Sequence, residues 1–294
     1  MAYVISLGRS GIELVGIEKN TVHFYKPYDF RQPSELKSED DFKSLLEELK
    51  ESHPVLKDEA IYLLLHAGCG LQYKVFTVTQ DALMISGSAT TKEQQAEALL
   101  DACAQKVPLG LTGTFVPAVL GDYLQENDYV VSCVYLYQSM LDNIINAFDA
   151  CGLNLFDVSP FSYGLFKSLD TEKFAQIIID LPEEMLLVNN IGIVGWTKPE
   201  VFNSQLASAF LIGEAHRHYG IDNSVVETTL VNRNTLERYI HDGLVNKTDS
   251  KSPAIFAAYG LICGGNVKKE GGIKDAVARL RLLFNKGKEE PDGL

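Results

Sequence analysis

Two distant stretches of this 294-residue chain carry the same local layout. Near the amino terminus, Tyr3–Leu7, Ile12–Ile17 and Thr21–Tyr25 read as short strands punctuated by Gly8, Gly11 and Asn20. From Phe174 the pattern starts again, with Ile177–Asp180, Met185–Asn189 and Ile191–Thr197 forming a second strand–turn–strand–turn–strand. A meander that opens each half predicts a duplicated α/β unit.

Ser38–Ser52 is rich in Glu and Lys and sets Phe42, Leu45, Leu46 and Leu49 at helical spacing, so an amphipathic helix ending near Pro54 should pack on the first sheet. Ala60–Leu65 is a buried strand by its continuous apolar run, and Leu71–Thr79 follows as a strand after the turn at Gly68–Gly70. Thr91–Lys106 reads as a helix, and Thr114–Leu120 and Tyr129–Tyr137 as strands, so this block has the character of an insertion. Gln138–Cys151 is a helix capped by Gly152, followed by a strand over Asn154–Ser159 and a helix from Phe161 to Leu169. In the second half come a helix over Glu200–Tyr219, a strand over Val225–Val231, a short helix over Thr235–Asp242 and an apolar helix over Pro253–Ile262. The expected domains are a first lobe over 1–169 with an inserted subdomain near 54–128, a reduced second lobe over 170–265, and a tail over 266–294.

Composition removes several functional classes. With 46% apolar residues the chain can bury a large core, and a formal charge of −13 argues against nucleic acid as a partner, because such binding needs Lys and Arg on phosphates. Five cysteines show neither C-x-x-C pairing nor zinc spacing and read as reduced, buried thiols. The amino terminus lacks a basic stretch followed by a long apolar one, and no run approaches a spanning helix, so a cytoplasmic location is expected.

The first turn has the outline of a phosphate loop, since a glycine-punctuated turn between strands can aim backbone N–H groups at an anion. Its charges disagree with that outline: Ser6 precedes the turn and Glu13 follows it. Gly8-Arg9-Ser10-Gly11 alone could be a plain hairpin turn, and only its echo at Asp180 raises its interest. Other candidates carry less. Cys69, between Gly68 and Gly70 and after His66, is the best nucleophile on paper, but a strand-end turn is the simpler reading. His216 and His218 sit two apart on a helix and do not face each other, and neither Ser86-Gly87-Ser88 nor Ser159 lies in a G-x-S-x-G elbow.

Several phrases taken together resemble the actin-like ATPase superfamily, and within it the type IV pilus assembly proteins of the PilM kind. Ile5-Ser6-Leu7-Gly8-Arg9-Ser10-Gly11 is similar to the family's first phosphate loop, and Asn146–Leu153 followed by Asp157-Val158-Ser159-Pro160-Phe161 to its helix–Gly-Leu–strand junction. Ile178-Ile179-Asp180-Leu181 resembles the strand entering the second phosphate loop, Val226–Leu230 the strand before the adenosine motif, and Ala257–Leu261 the final helix.

The resemblance implies an α/β, ribonuclease H-like fold of two lobes, with mixed sheets flanked by helices and a nucleotide cleft between them. Gly8, Arg9, Ser10, Gly11, Asp180 and Gly260 would be the cofactor contacts if nucleotide binding is retained. The chain departs from the family pattern at each contact. Ser6 stands where an Asp would help hold Mg²⁺ and Glu13 where a Lys often faces phosphate. Pro182, Glu183 and Glu184 occupy the second phosphate loop, and Asn232-Arg233-Asn234 replaces the glycines that admit the base. No catalytic residue, metal or cofactor is therefore expected, with room left for weak ATP or ADP binding. The resemblance implies a scaffold at the cytoplasmic face of a type IV pilus or related secretion or DNA-uptake machine, holding the amino-terminal tail of a PilN-like single-pass membrane protein. An ATPase or kinase using Asp180, and a filament-forming division protein, remain alternatives.

The tail is basic inside an acidic protein. Ile273, Ala276, Val277, Leu280, Leu283 and Phe284 share one face of a helical projection, and the FtsA-like relatives carry such a tail. Arg279, Leu280, Arg281, Leu283, Phe284 and Lys286 are the candidate contacts to an anionic membrane surface or a partner; docking on the chain's own domain is the other reading.

Overall fold

The computed structural model describes residues 1–8, 11–28, 36, 38–79, 111–112, 118–125, 128–189, 192–198, 204–219, 228–245 and 251–264. The expected helix at Thr91–Lys106 and the basic tail lie outside the described residues. The opening meander forms β1 (Ala2–Gly8), β2 (Gly11–Glu18) and β3 (Thr21–Tyr28), with Lys19 and Asn20 taking positive φ at the second turn. Helix α1 (Glu39–Ser52) begins at a capping box: Ser38 Oγ accepts from the Asp41 N–H at 3.3 Å, and Asp41 Oδ2 accepts from the Ser38 N–H at 2.9 Å. Then β4 (Ala60–Leu65) runs parallel to β1.

A separate small sheet follows, built from β5 (Gln72–Thr79), β6 (Leu111–Thr112), β7 (Ala118–Gln125) and β8 (Asp128–Tyr137). Because β4 belongs to the first-lobe sheet and β8 reaches Tyr137, the inserted sheet starts and ends later than the expected 54–128. Helix α2 (Gln138–Cys151) ends on Gly152 in the left-handed region, whose N–H reaches back to the last turn. Next come β9 (Asn154–Pro160) and α3 (Phe161–Ser168).

The second half repeats the scheme with β10 (Gln176–Asp180), β11 (Met185–Asn189) and β12 (Gly192–Thr197), then α4 (Ser204–Tyr219) and β13 (Thr228–Asn232). The expected single helix at Thr235–Asp242 is broken into a 3-10 turn, Leu236–Tyr239, and helix α5 (Asp242–Val245). Its break has a cause: Ile240, fully buried, extends to bridge with Leu169, while Asp170 and His241 trade backbone bonds with Tyr239 and Ser168. Helix α6 (Pro253–Cys263) closes the described chain, with Pro253 in its first turn and Ser252 as N-cap.

Sheet order makes the duplication explicit. The first sheet runs β3-β2-β1-β4-β9 and the second β12-β11-β10-β13, each with an antiparallel meander and a parallel fourth strand beside its first. This is the ribonuclease H-like path twice over, the actin-like two-lobed fold, with the second lobe reduced to four strands among the described residues.

Alternation along β1 divides its side chains between two cores. Ile5 and Leu7 join Phe42 and Leu49 of α1 and Ile144 and Phe148 of α2. Val4 faces the other way, toward Phe161, Leu165, Phe256 and the second-lobe strands. Each large side chain so buried contributes about 1.5–3 kcal/mol, so the inner core is a strong bond between the lobes. At its centre α3 and α6 cross backbone to backbone. A Cβ on Gly260 would collide with the Gly164 carbonyl oxygen, and one on Gly164 would collide with the Ala257 carbonyl oxygen.

Candidate functional site at the interlobe cleft

The paired strand ends of the two meanders meet, with Glu183 of the second against Gly8 of the first. In the first lobe Gly8 pairs with Gly11 across the end of the β1–β2 hairpin. In the second, Asp180 pairs with Met185, and the Leu181 N–H donates to the Glu184 carbonyl at 3.1 Å, closing a tight four-residue turn. That turn points its acids at the first lobe. Glu183 lies directly over Gly8: a Cβ there would collide with Oε1 and would sit 2.9 Å from the carboxyl carbon, with His66 Cδ2 at 3.0 Å. The glycine is what lets the carboxyl group approach the strand so closely.

Glu184 is fully buried. Its Oε2 accepts a hydrogen bond from the Trp196 indole N–H at 2.9 Å, and its Oε1 lies 3.5 Å from His66 Nδ1, a charge contact too long for a good hydrogen bond. Across the ring, His66 Nε2 lies 3.0 Å from Ser6 Oγ. The imidazole stacks on Phe161 with centroids 3.8 Å apart, and its backbone N–H donates to the Leu7 carbonyl at 3.0 Å. Cys69 donates its thiol to the same carbonyl at 3.3 Å, which is the turn role that fits it.

The inserted sheet reaches the same place. Trp196 stacks on Tyr73 of β5 at 5.8 Å, and Ser132 of β8 donates to the Ile193 carbonyl at 2.7 Å. Burial pushes the Tyr73 and Tyr219 phenols above their ordinary range, so both remain protonated within this packing.

Ser6, His66 and Glu184 thus line up in the order of a hydrolase triad. They do not form an accessible one. Ser6 lies inside strand β1 with 1% of its surface exposed, so no substrate carbonyl can approach its hydroxyl. Structurally, the arrangement sets His66 of the first lobe against the buried Glu184 of the second, each held by a hydrogen bond within its own lobe. Among the described residues no three His, Cys, Asp or Glu side chains come together as a metal-holding group.

The chain matches no protein-family model and no curated protein. Among solved structures it is similar to the cytoplasmic domain of EpsL, an inner membrane component of the type II secretion system of Vibrio cholerae, at 11% identity, covering 92% of this chain and 97% of that one, with a TM-score of 0.47. It is also similar to a Bacteroides thetaiotaomicron protein described as having an actin-like ATPase fold and unknown function, at 9% identity, covering 78% of this chain and 90% of that one, with a TM-score of 0.35.

The residues expected to touch nucleotide fall into different settings. Gly8 lies under Glu183 and pairs with Gly11; Arg9 and Ser10 lie outside the described residues, as do Arg279, Leu280, Arg281, Leu283, Phe284 and Lys286. Asp180 ends β10, half-buried between Met185 and Asn232. Gly260 belongs to the α3–α6 crossing, where its missing side chain serves helix packing.

Glu13 serves the last helix: its Oε1 accepts from the Tyr25 hydroxyl and, at 2.6 Å, from the hydroxyl of Ser252, the N-cap of α6. At Asn232-Arg233-Asn234 the Asn232 side chain turns back to accept from the Asn234 and Thr235 N–H groups at 3.0 and 3.2 Å. It thereby builds its own turn.

Sequence reasoning missed His66 and Trp196. A lone His after an apolar strand and a single Trp carry no pattern of their own; their meaning comes from the acid that the second lobe brings between them.

Proposed function

We propose that this chain is a non-catalytic actin-like scaffold at the cytoplasmic face of a secretion or type IV pilus machine, binding the cytoplasmic amino-terminal tail of a PilN-like single-pass membrane protein. The observation that carries the non-catalytic reading is the Glu183 carboxyl group against Gly8, with Glu184 buried behind it. A polyphosphate entering this cleft would meet two acids held by the fold, and Pro182 offers no N–H in the turn. The acidic net charge of −13 supports a protein partner over nucleic acid. No described helix is long and apolar enough to cross a membrane, and the basic tail is the element we assign to an anionic membrane surface.

Calorimetry with ATP and magnesium, paired with a phosphate-release assay, tests the core of this reading. No micromolar binding and no turnover are expected. Micromolar binding with turnover abolished by Asp180→Asn would establish the ATPase alternative instead. Peptides copying the amino-terminal tails of PilN-like proteins should bind the full chain, and liposomes with anionic lipid should sediment the full chain better than one ending at Gly271. Equal, salt-insensitive sedimentation of the two rejects membrane contact by the tail.

A further inference from the structure

Resting on the reading that the cleft works without nucleotide, we infer that Glu183 and Glu184 form a tethered anionic ligand: the second lobe carries its own substitute for a bound phosphate and uses it to hold the lobes together. Four observations converge. Glu183 reaches across to the first lobe and presses its carboxyl group on Gly8, which pairs with Gly11 at the end of the β1–β2 hairpin. Glu184, on the same turn, is buried and set against the first-lobe residue His66, which in turn contacts Ser6. The turn that presents both is closed by its own Leu181–Glu184 bond, so the acids are pre-positioned. Finally, Glu184 accepts from Trp196, which stacks on Tyr73, so the same acid also engages the inserted sheet.

A loose carboxylate at this place would cost binding entropy, whereas one fixed in a four-residue turn has already lost it. Cutting the side chain back should leave a vacancy of the right character for a free oxyanion.

The test uses the full chain and inorganic phosphate, with sodium chloride at matched ionic strength as the reference. Thermal midpoints and the emission of Trp196, the single tryptophan, are followed for wild type, Glu183→Ala, Glu183→Gln and Glu237→Ala; the last loses only an ion pair to Lys251. Wild type and Glu237→Ala should show no phosphate-specific change. Glu183→Ala should melt lower in chloride and recover by about 2–4 °C in phosphate at concentrations well above its dissociation constant. Glu183→Gln keeps the bulk and removes the charge; it should melt below wild type and gain no phosphate response. Trp196 emission should shift in Glu183→Ala and return on adding phosphate.

A Glu183→Ala chain that behaves like Glu237→Ala in both salts overturns the inference, as does a Glu183→Gln chain as stable as wild type. Should Glu183→Ala fail to fold, the Gln variant alone decides. Phosphate stabilising wild type and Glu183→Ala equally defeats the tethered ligand and leaves the scaffold standing. ATP turnover by wild type defeats the scaffold, whatever the Glu183 variants do.

Discussion

The hairpins that open the first and second lobes occupy equivalent places in equivalent sheets, yet the strands of the first end on two paired glycines and the second projects an acid across the boundary. Gly8 and Gly11 close the first with no side chain at either end of the paired strands. The second buries Leu181 and Glu184, exposes Pro182 and projects Glu183 onto Gly8. Strand order and pairing are preserved between the lobes while the chemistry at their tips is inverted. Neither turn therefore defines a site alone. A glycine turn facing a second donor-rich turn would cradle an anion, whereas the same glycine turn facing Glu183 receives one already attached to the protein.

The largest effect should come from the α3–α6 crossing, where the two backbones approach too closely to admit a Cβ. Gly260→Ala forces a Cβ into the Gly164 carbonyl, a backbone atom that cannot swing away, and should cost about 3 kcal/mol. Urea denaturation measures it. A near-neutral result would mean that the two helices move apart freely and that the core does not impose their close approach.

Within the cleft, Glu184→Ala should cost about 2–3 kcal/mol, because it strands the Trp196 indole N–H and removes the acid facing His66. If the second turn merely caps a hairpin, the loss would fall under about 0.5 kcal/mol, as for an ordinary surface position.

Gly8→Ala separates room from filling. The substitution should cost about 1–2 kcal/mol, since the added methyl displaces the flexible end of Glu183 and crowds His66. In a Glu183→Ala background the penalty should fall below about 0.5 kcal/mol, giving a coupling that a double-mutant cycle reads directly. Additive effects would show that Gly8 and Glu183 do not act as a pair.

Much of the frame was legible because it is periodic. Alternation and apolar runs place all six meander strands, and the apolar face of Gln138–Cys151 with Gly152 behind it fixes α2 to the residue. The mismatch of shape and charge at Gly8–Gly11 and at Pro182–Glu184 was also legible, since glycine, proline and carboxylates carry their meaning locally. What Glu13, Gly260 and Asn232 do was not, because each depends on a neighbour far away in sequence or on the choice between a ligand and the chain's own backbone. Glu13 meets Ser252 across most of the chain, and a glycine in an apolar helix looks the same whether it admits a base or another helix. The contact of Ser6, His66 and Glu184 exists only once both lobes are folded together.

The lobes also differ in how they treat an acid withdrawn from solvent, the half-buried Asp157 in the first and the buried Glu184 in the second, which gives the smallest and most discriminating prediction. Asp157 in β9 accepts from Ser159 Oγ at 2.8 Å, and burial pushes its carboxyl above the ordinary range despite that bond and the more distant Lys167. A folded-state value above the unfolded one means that the folded chain holds the proton more tightly. The penalty is absent at low pH, where both states are protonated; it grows as pH rises through the unfolded value and is complete above the folded one. Asp157→Asn should therefore stabilise the protein by about 0.5–1 kcal/mol at neutral pH, with the gain vanishing below about pH 4. Glu184, set across the lobe boundary against an indole and an imidazole, should respond in the opposite sense when its carboxylate is removed. Parallel denaturation of the two variants against pH checks the contrast: if Asp157→Asn and Glu184→Ala both destabilise at neutral pH, burying a carboxylate in the first lobe is as useful as in the second, and the asymmetry between the lobes fails.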